Sequence, residues 1–301
     1  MRSIAVVVVL AAAGCAERPT RSADLERRDG ATTRAPSAAV PPPASAPSLA
    51  PVSDASDEAL PVLPIPARAQ ALEAPPAGWC GETAIQEGLL HVGVWAPQRL
   101  INKAGKPTHP DLYATDIPVA LSELGVRYSV YAGGRGFDAF ARWVASAVDQ
   151  GDPVLAGVKI LPTAHPEWGL DHFVLVVGHG TRGLLVNTTW GSRTWVADTT
   201  TPGLSFKNAF YGIRLLGLTL PANALPARLS LLDENAKTVK LRVTCAGLRK
   251  GATYRLEERS ARSETMAAWS EEVTAQAEVI RKDLTVEAAL ASRFQCVPVA
   301  R

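Results

Sequence analysis

Asp171-His172-Phe173-Val174-Leu175-Val176-Val177-Gly178-His179-Gly180 is followed, after Thr181-Arg182-Gly183, by Leu184-Leu185-Val186-Asn187-Thr188-Thr189-Trp190-Gly191. The apolar run from Phe173 to Val177 is too short for a typical helix, rich in valine and closed by glycine, which predicts a buried strand. A turn around residues 178 to 183 leads into a second strand from Leu184 to Thr189. In the antiparallel hairpin so formed, opposing residues have numbers adding to an odd value near 361. His172 and Asn187 then share a face, and because strand side chains alternate, only a one-residue slip separates them. From that position the Asn187 amide oxygen can accept from one ring nitrogen and leave the other for proton transfer.

Upstream lies Gly78-Trp79-Cys80-Gly81-Glu82-Thr83-Ala84. From Cys80 to about Val92 the apolar residues Ala84, Ile85, Leu89 and Val92 fall on one side, predicting an amphipathic helix that opens after a Gly-Trp turn. Cys80 stands at its N-terminus, where unpaired N–H groups and the helix dipole favour a thiolate. An imidazolium partner would lower the thiol further from its free value of about 8.5. Cys80, His172 and Asn187 thus form a candidate nucleophilic triad. Taken singly, a buried cysteine is packing and a histidine at a strand start is a satisfied core residue; their joint pattern favours chemistry. His91, His109, His165 and His179 are expected at a helix end or in loops. The seven-residue spacing of His165, His172 and His179 fits no zinc pattern, so neither metal nor cofactor is expected.

These two segments resemble the cysteine and histidine-asparagine regions of papain-like cysteine peptidases, most closely the bacteriocin-processing (double-glycine leader) branch. The resemblance spans residues 70 to 218. It implies an α+β, papain-like fold, a helical half packed on an antiparallel sheet. It makes Cys80 the nucleophile, His172 the base and acid, Asn187 the orienting residue, and Trp190 with Trp79 the shields of the site. A peptide or protein substrate follows, although an amidase or acyl transferase uses the same triad. Leader processing beside a cytoplasmic transporter does not fit an exported chain. Two departures stand out. The family places a glutamine six residues before the cysteine as oxyanion donor, and Ala74 stands there, followed by Pro75-Pro76. Gln70 reaches the site only if residues 74 to 78 loop out, while Gln86 points to a different side of the helix. Losing one such donor costs about a hundred- to a thousandfold in rate, so a catalytically silent binder of a peptide or envelope partner is the alternative. The second departure is Asn187-Thr188-Thr189-Trp190, one residue longer than the family's Asn-x-Trp.

The 301 residues carry a net charge of +2, without a basic patch that would suggest nucleic acid. Met1-Arg2, the apolar run Ile4 to Ala13 and Gly14-Cys15 have the form of a signal peptide (1–15) ending at a lipidated Cys15, hence membrane attachment at a bacterial envelope. Cleavage after an Ala-x-Ala element, giving a secreted protein, is the alternative. Residues 16–74, with Val40-Pro41-Pro42-Pro43, read as a disordered tether, residues 75–220 as the papain-like domain and 221–301 as a small β-rich domain. Within these, Ile117 to Leu124 and Phe137 to Val148 have helical spacing, the latter stopped at Gly151. Pro153 to Leu161, Leu241 to Cys245 and Thr253 to Leu256 read as strands, with a turn at residues 247 to 251; Glu271 to Ile280 fits either state. Cys245 and Cys296 are left to pair as a disulfide or to stay as buried thiols.

Overall fold

The computed structural model describes residues 61–75, 78–134, 136–160, 172–197, 204–206, 210–260 and 267–299. The expected signal segment, Cys15 and the tether up to residue 60 lie outside the described residues, as do His165 and Asp171. Residues Val52–Arg301 form one compact unit of mixed α and β structure with antiparallel sheets.

The helices follow their apolar spacing. They are α1 (Cys80–His91), α2 (Gln98–Gly105), α3 (Ile117–Glu123) and α4 (Phe137–Asp149). In α4, Phe140, Val144 and Val148 lie on the buried stripe, and Gly151 at φ +85° turns the chain away where a side chain would be strained. Helix α1 differs from expectation. It is buried on every face, including Glu82, Thr83, Gln86, Glu87 and His91. An amphipathic helix needs a solvated side, and α1 has none because the first sheet, α2 and the second sheet all contact it.

The first sheet has the order β2-β8-β3-β4-β5-β6, from β2 (Val126–Val130), β3 (Val154–Ile160), β4 (His172–Gly180), β5 (Gly183–Asn187), β6 (Arg193–Val196) and β8 (Gly212–Leu218). A two-residue strand, β7 (Leu204–Ser205), pairs with the end of β3. Helices α1 and α4 pack on β3 and β4, so those strands read as continuous apolar runs. The β4–β5 hairpin is tighter than expected: β4 runs on through Gly180, leaving Thr181-Arg182 as the turn. Its register also changes. His179 lies opposite Leu184, the odd register, but a bulge after Val176 places Val176 opposite Val186 and Leu175 opposite Asn187. The inserted residue shifts every position beyond it by one, which flips the pairing on which the His172–Asn187 alignment rested.

The second sheet has the order β12-β11-β14-β9-β10-β13. Its strands are β9 (Leu225–Glu234), β10 (Thr238–Ala246), β11 (Thr253–Ser260), β12 (Ala267–Thr274), β13 (Val279–Glu287) and β14 (Ser292–Pro298). The ambiguous stretch from Glu271 is therefore strand, not helix. In β10, buried Val239, Leu241, Val243 and Cys245 alternate with exposed Lys240 and Arg242, the pattern of a half-buried strand. Cys245 on β10 and Cys296 on β14 form a disulfide with Cα atoms 6.5 Å apart. Both cysteines border β9, through Ala227 and Leu225. Strands two places apart in a flat sheet lie almost 10 Å apart, so the sheet bends at β9 and the disulfide ties its halves across the inside. A strand from the first half of the chain, β1 (Val94–Trp95), completes this sheet against β14. The two sheets are thereby interlocked immediately after α1.

The end of the expected tether belongs to the fold. The Leu63 N–H donates to the Val177 carbonyl at 2.7 Å, and Leu63 and Ile65 are buried in the first core. Proline-rich composition hid a short edge segment with two apolar anchors.

Replacing both Cys245 and Cys296 by serine is expected to lower unfolding stability by about 2 to 4 kcal/mol. Urea denaturation with and without reductant checks this: reductant should move the midpoint of the parent protein and leave that of the double variant in place.

Candidate active site

Cys80 is the first residue of α1, with Trp79 as its N-cap, so its N–H is among the helix donors without an intrahelical acceptor. The Phe173 and Gly81 N–H groups interact with its sulfur. The nucleophile candidate therefore lies against the start of β4, at the residue that follows His172. The thiol is free and buried. Burial pushes it up to about 12, the Glu82 and Asp111 carboxylates add to the rise, and the two N–H groups oppose it.

His172 is also buried, which pushes its imidazole down to about 4 against the opposing Thr188 carbonyl. Its Nε2 lies 3.2 Å from Thr189 Oγ1. Trp190 stacks on the imidazole with centroids 4.7 Å apart and planes 16° apart. Both groups thus rest neutral, not as the ion pair expected from a helix N-terminus. The dipole favours a thiolate by a kcal/mol or so, whereas full burial of a charge costs several.

Asn187 serves elsewhere. Its Oδ1 accepts from Arg193 Nε at 2.8 Å, and its Nδ2 donates to the carbonyls of Ile65 and Pro66, each at 3.2 Å. The bulge in β4 turns it toward the edge segment, and the orienting contact to His172 comes from Thr189. Thr189 adopts a left-handed φ of +58°, which ends strand alternation and aims its hydroxyl at the ring. Residue types at fixed spacing carry no trace of that backbone turn.

Gln70 reaches the residue before Cys80. The chain turns at residues 71 to 74, where the Ala74 N–H donates to the Ala71 carbonyl, and Gln70 Oε1 accepts from the Trp79 N–H at 2.6 Å. Gly78, at φ +88°, makes the approach possible: a Cβ there would stand 2.6 Å from that same oxygen. Gln86 is buried and donates to the Ala96 carbonyl. Trp79 is fixed by a bond from Nε1 to the Pro110 carbonyl at 3.0 Å.

The remaining histidines divide. His91 ends α1, as expected, but is buried, with Nε2 2.7 Å from the Gly151 carbonyl. His109 stacks on Tyr113, and His179 bonds Asp149 at 2.8 Å. His172 and His179, seven residues apart on β4, are separated by about 20 Å along the strand, so they cannot share a metal.

Two buried carboxyls escaped the sequence reading. Glu82 Oε1 accepts from Asn102 Nδ2 at 2.7 Å and from the Leu112 N–H at 3.0 Å, while Oε2 has no partner among the described residues. Burial raises Glu82 to about 7. Glu87 Oε1 accepts from the Arg68 N–H at 2.6 Å, and burial raises this carboxyl to about 8. Comparison with known proteins adds no label: no family model, curated protein or solved structure matches the chain.

The signs of these shifts fix a pH dependence of stability. Glu82 and Glu87 hold protons in the folded chain that the unfolded chain loses above about pH 4.3, so they destabilise the fold as pH rises toward 8. His172 and His91, both lowered, act oppositely, but only up to about pH 6.5. Stability is therefore expected to fall between pH 6.5 and 8, by about 1 to 2 kcal/mol at 1.4 kcal/mol per pH unit. Urea midpoints at the two pH values check it: Glu87→Gln, which keeps the oxygen accepting from Arg68, should shrink the fall, and Glu82→Gln should in addition lower the thiol pKa of Cys80.

Proposed function

We propose that the protein is a thiol-dependent peptidase of papain-like architecture, exported and held at a bacterial envelope through a lipid on Cys15. The observation that carries this reading is the bond from the Trp79 N–H to Gln70 Oε1 at 2.6 Å. The one part of the machinery missing in register is supplied from four residues farther upstream by a looped segment.

In this reading the Cys80 sulfur bonds to a peptide carbonyl carbon while its proton passes to His172 Nδ1. Resting groups that are neutral need no preformed ion pair for this step. Charge develops on the carbonyl oxygen, where the Cys80 N–H and the Gln70 amide nitrogen donate. The C–N bond then breaks as Nδ1 returns the proton to the leaving amine, and water hydrolyses the thioester. Thr189 holds Nε2, and Trp190 keeps water off one ring face. An amide or acyl-transfer acceptor would use the same first step.

A second reading is favoured by the same dryness. A thiol near 12 beside an imidazole near 4 suits a silent fold that binds a peptide or envelope partner.

Acylation of Cys80 by p-nitrophenyl acetate, read by peptide mass spectrometry, separates the two. On the peptidase reading the rate has an acid limb near pH 4, set by His172, and not near 6.5. It drops about a hundredfold or more in Gln70→Ala and further in His172→Ala. Acylation indifferent to both substitutions, or absent while Cys80 still alkylates, would leave the binding reading.

A further inference from the structure

Residues 68 to 71 belong to neither sheet, yet they touch both halves of the site. The Arg68 carbonyl accepts from the Gly191 N–H at 3.0 Å, and the Gln70 N–H donates to the Thr189 carbonyl at 3.1 Å. Ala69 bridges to Trp190. The run thus grips the turn whose Thr189 and Trp190 contact His172, while the Gln70 side chain grips the residue before Cys80. Gln98 brackets the run from α2: its Oε1 accepts from the Ala71 N–H at 2.8 Å and its Nε2 donates to the Ala69 carbonyl at 3.0 Å.

Behind the run there is space, not packed core. A cavity of about 850 Å³ is lined by residues 66 to 73 on one side and by Glu234, Asn235, Ala236, Ala288 and Ala289 of the second sheet on the other. What crosses from the run to that side is the Arg68 guanidinium. It lies over the Trp95 ring at 5.5 Å, donates from Nε to Gln86 Oε1 at 2.8 Å and meets the Glu234 carboxylate with Nη2 at 2.6 Å. The Arg68 side chain is 11 % exposed and that of Glu234 37 %, so removing the carboxylate strands a mostly buried cation. Gln86 is uncharged, and Glu87, the other acid near Arg68, is protonated at neutral pH by its burial.

We propose that Glu234 is a positioning residue: from the end of β9 it holds Arg68, and with it residues 68 to 71, so that the second sheet fixes the Gln70 amide beside Cys80. The proposal rests on the reading of Cys80 as nucleophile. It gives the C-terminal strands a part in the chemistry with no contact to the reacting atoms.

The test uses the full chain with Glu234→Gln, which keeps side-chain shape and removes the charge at a part-exposed position. Two reactions of Cys80 are compared: acylation by p-nitrophenyl acetate, which passes through an oxyanion, and alkylation by iodoacetamide, which does not. Acylation should slow about three- to fivefold, the loss of one part-exposed ion pair, with alkylation changed less than about twofold. In a Gln70→Ala background the substitution should have no further effect on acylation, because the two changes act through one group. Equal slowing of both reactions, or an undiminished effect without Gln70, overturns the proposal. Hydrogen exchange reads the clamp without turnover: faster exchange at Arg68, Gln70 and Gly191 with β10 and β13 unchanged supports it, and unchanged exchange overturns it. If the parent protein alkylates but never acylates, the peptidase reading fails by itself, and the exchange result still decides the clamp.

Discussion

A helix buried on every side must find partners inside the protein for each polar side chain it carries, and α1 carries several. Glu82 binds the loop that ends at Leu112, Gln86 binds the Ala96 carbonyl, and Glu87 binds the Arg68 backbone. Each is a contact that a polar group taken out of water requires. Together they place three otherwise irregular segments around the N-terminus of the helix: the edge run before it, the loop after α2 and the link into the second sheet. An apolar α1 would pack as well in the core, but it would leave those segments without an address.

The same dryness sets the electrostatics of the site. Cys80 and His172 are both shifted toward their neutral forms, and the largest cause in each case is loss of solvent. The N–H groups of Gly81 and Phe173 and the helix end work the other way without prevailing. Glu82 is placed to tune the balance, because its charge disfavours a thiolate and its own burial holds it near the point of ionisation, at about 7. On the peptidase reading, such a site gains its charge separation only as sulfur meets an electrophile, when a polar substrate takes the place of solvent. Chemistry and rest would then be held apart by what fills the cleft, not by a standing ion pair.

Much of this was legible in residue patterns, and the failures have local causes. Periodicity found α3, α4, β3, β4, β5, β10 and β11, and cysteine count found the Cys245–Cys296 pair. The hairpin was legible but its register was not, because a single bulge after Val176 leaves no mark in an unbroken valine run. That one residue moved Asn187 away from His172 and gave Thr189 the contact. Composition misread residues 61 to 74, since a proline-rich segment with only Leu63 and Ile65 to bury resembles a tether until a sheet edge is there to receive it. The full burial of α1 depends on the second sheet, whose approach is a tertiary fact that a helical wheel does not hold.

That second sheet is bound to the first by more than proximity. The chain leaves α1 at His91, and Gly93, at φ +87°, accepts from the Phe294 N–H at 2.8 Å just before β1 pairs with β14. A Cβ on Gly93 would stand 2.7 Å from the Ala227 carbonyl, so only glycine lets the backbones approach there. Cys296 lies two residues beyond Phe294 on β14, and its disulfide holds that strand to β10. The path from the disulfide through β14 and β1 to the end of α1 is therefore covalent or hydrogen-bonded at each step. The helix that presents Cys80 is anchored at its far end by the C-terminal strands, and the run that presents Gln70 is tied to them through Arg68 and Glu234. Cys80 and Gln70 are thus referred to one common frame, and that frame is the second sheet as much as the first.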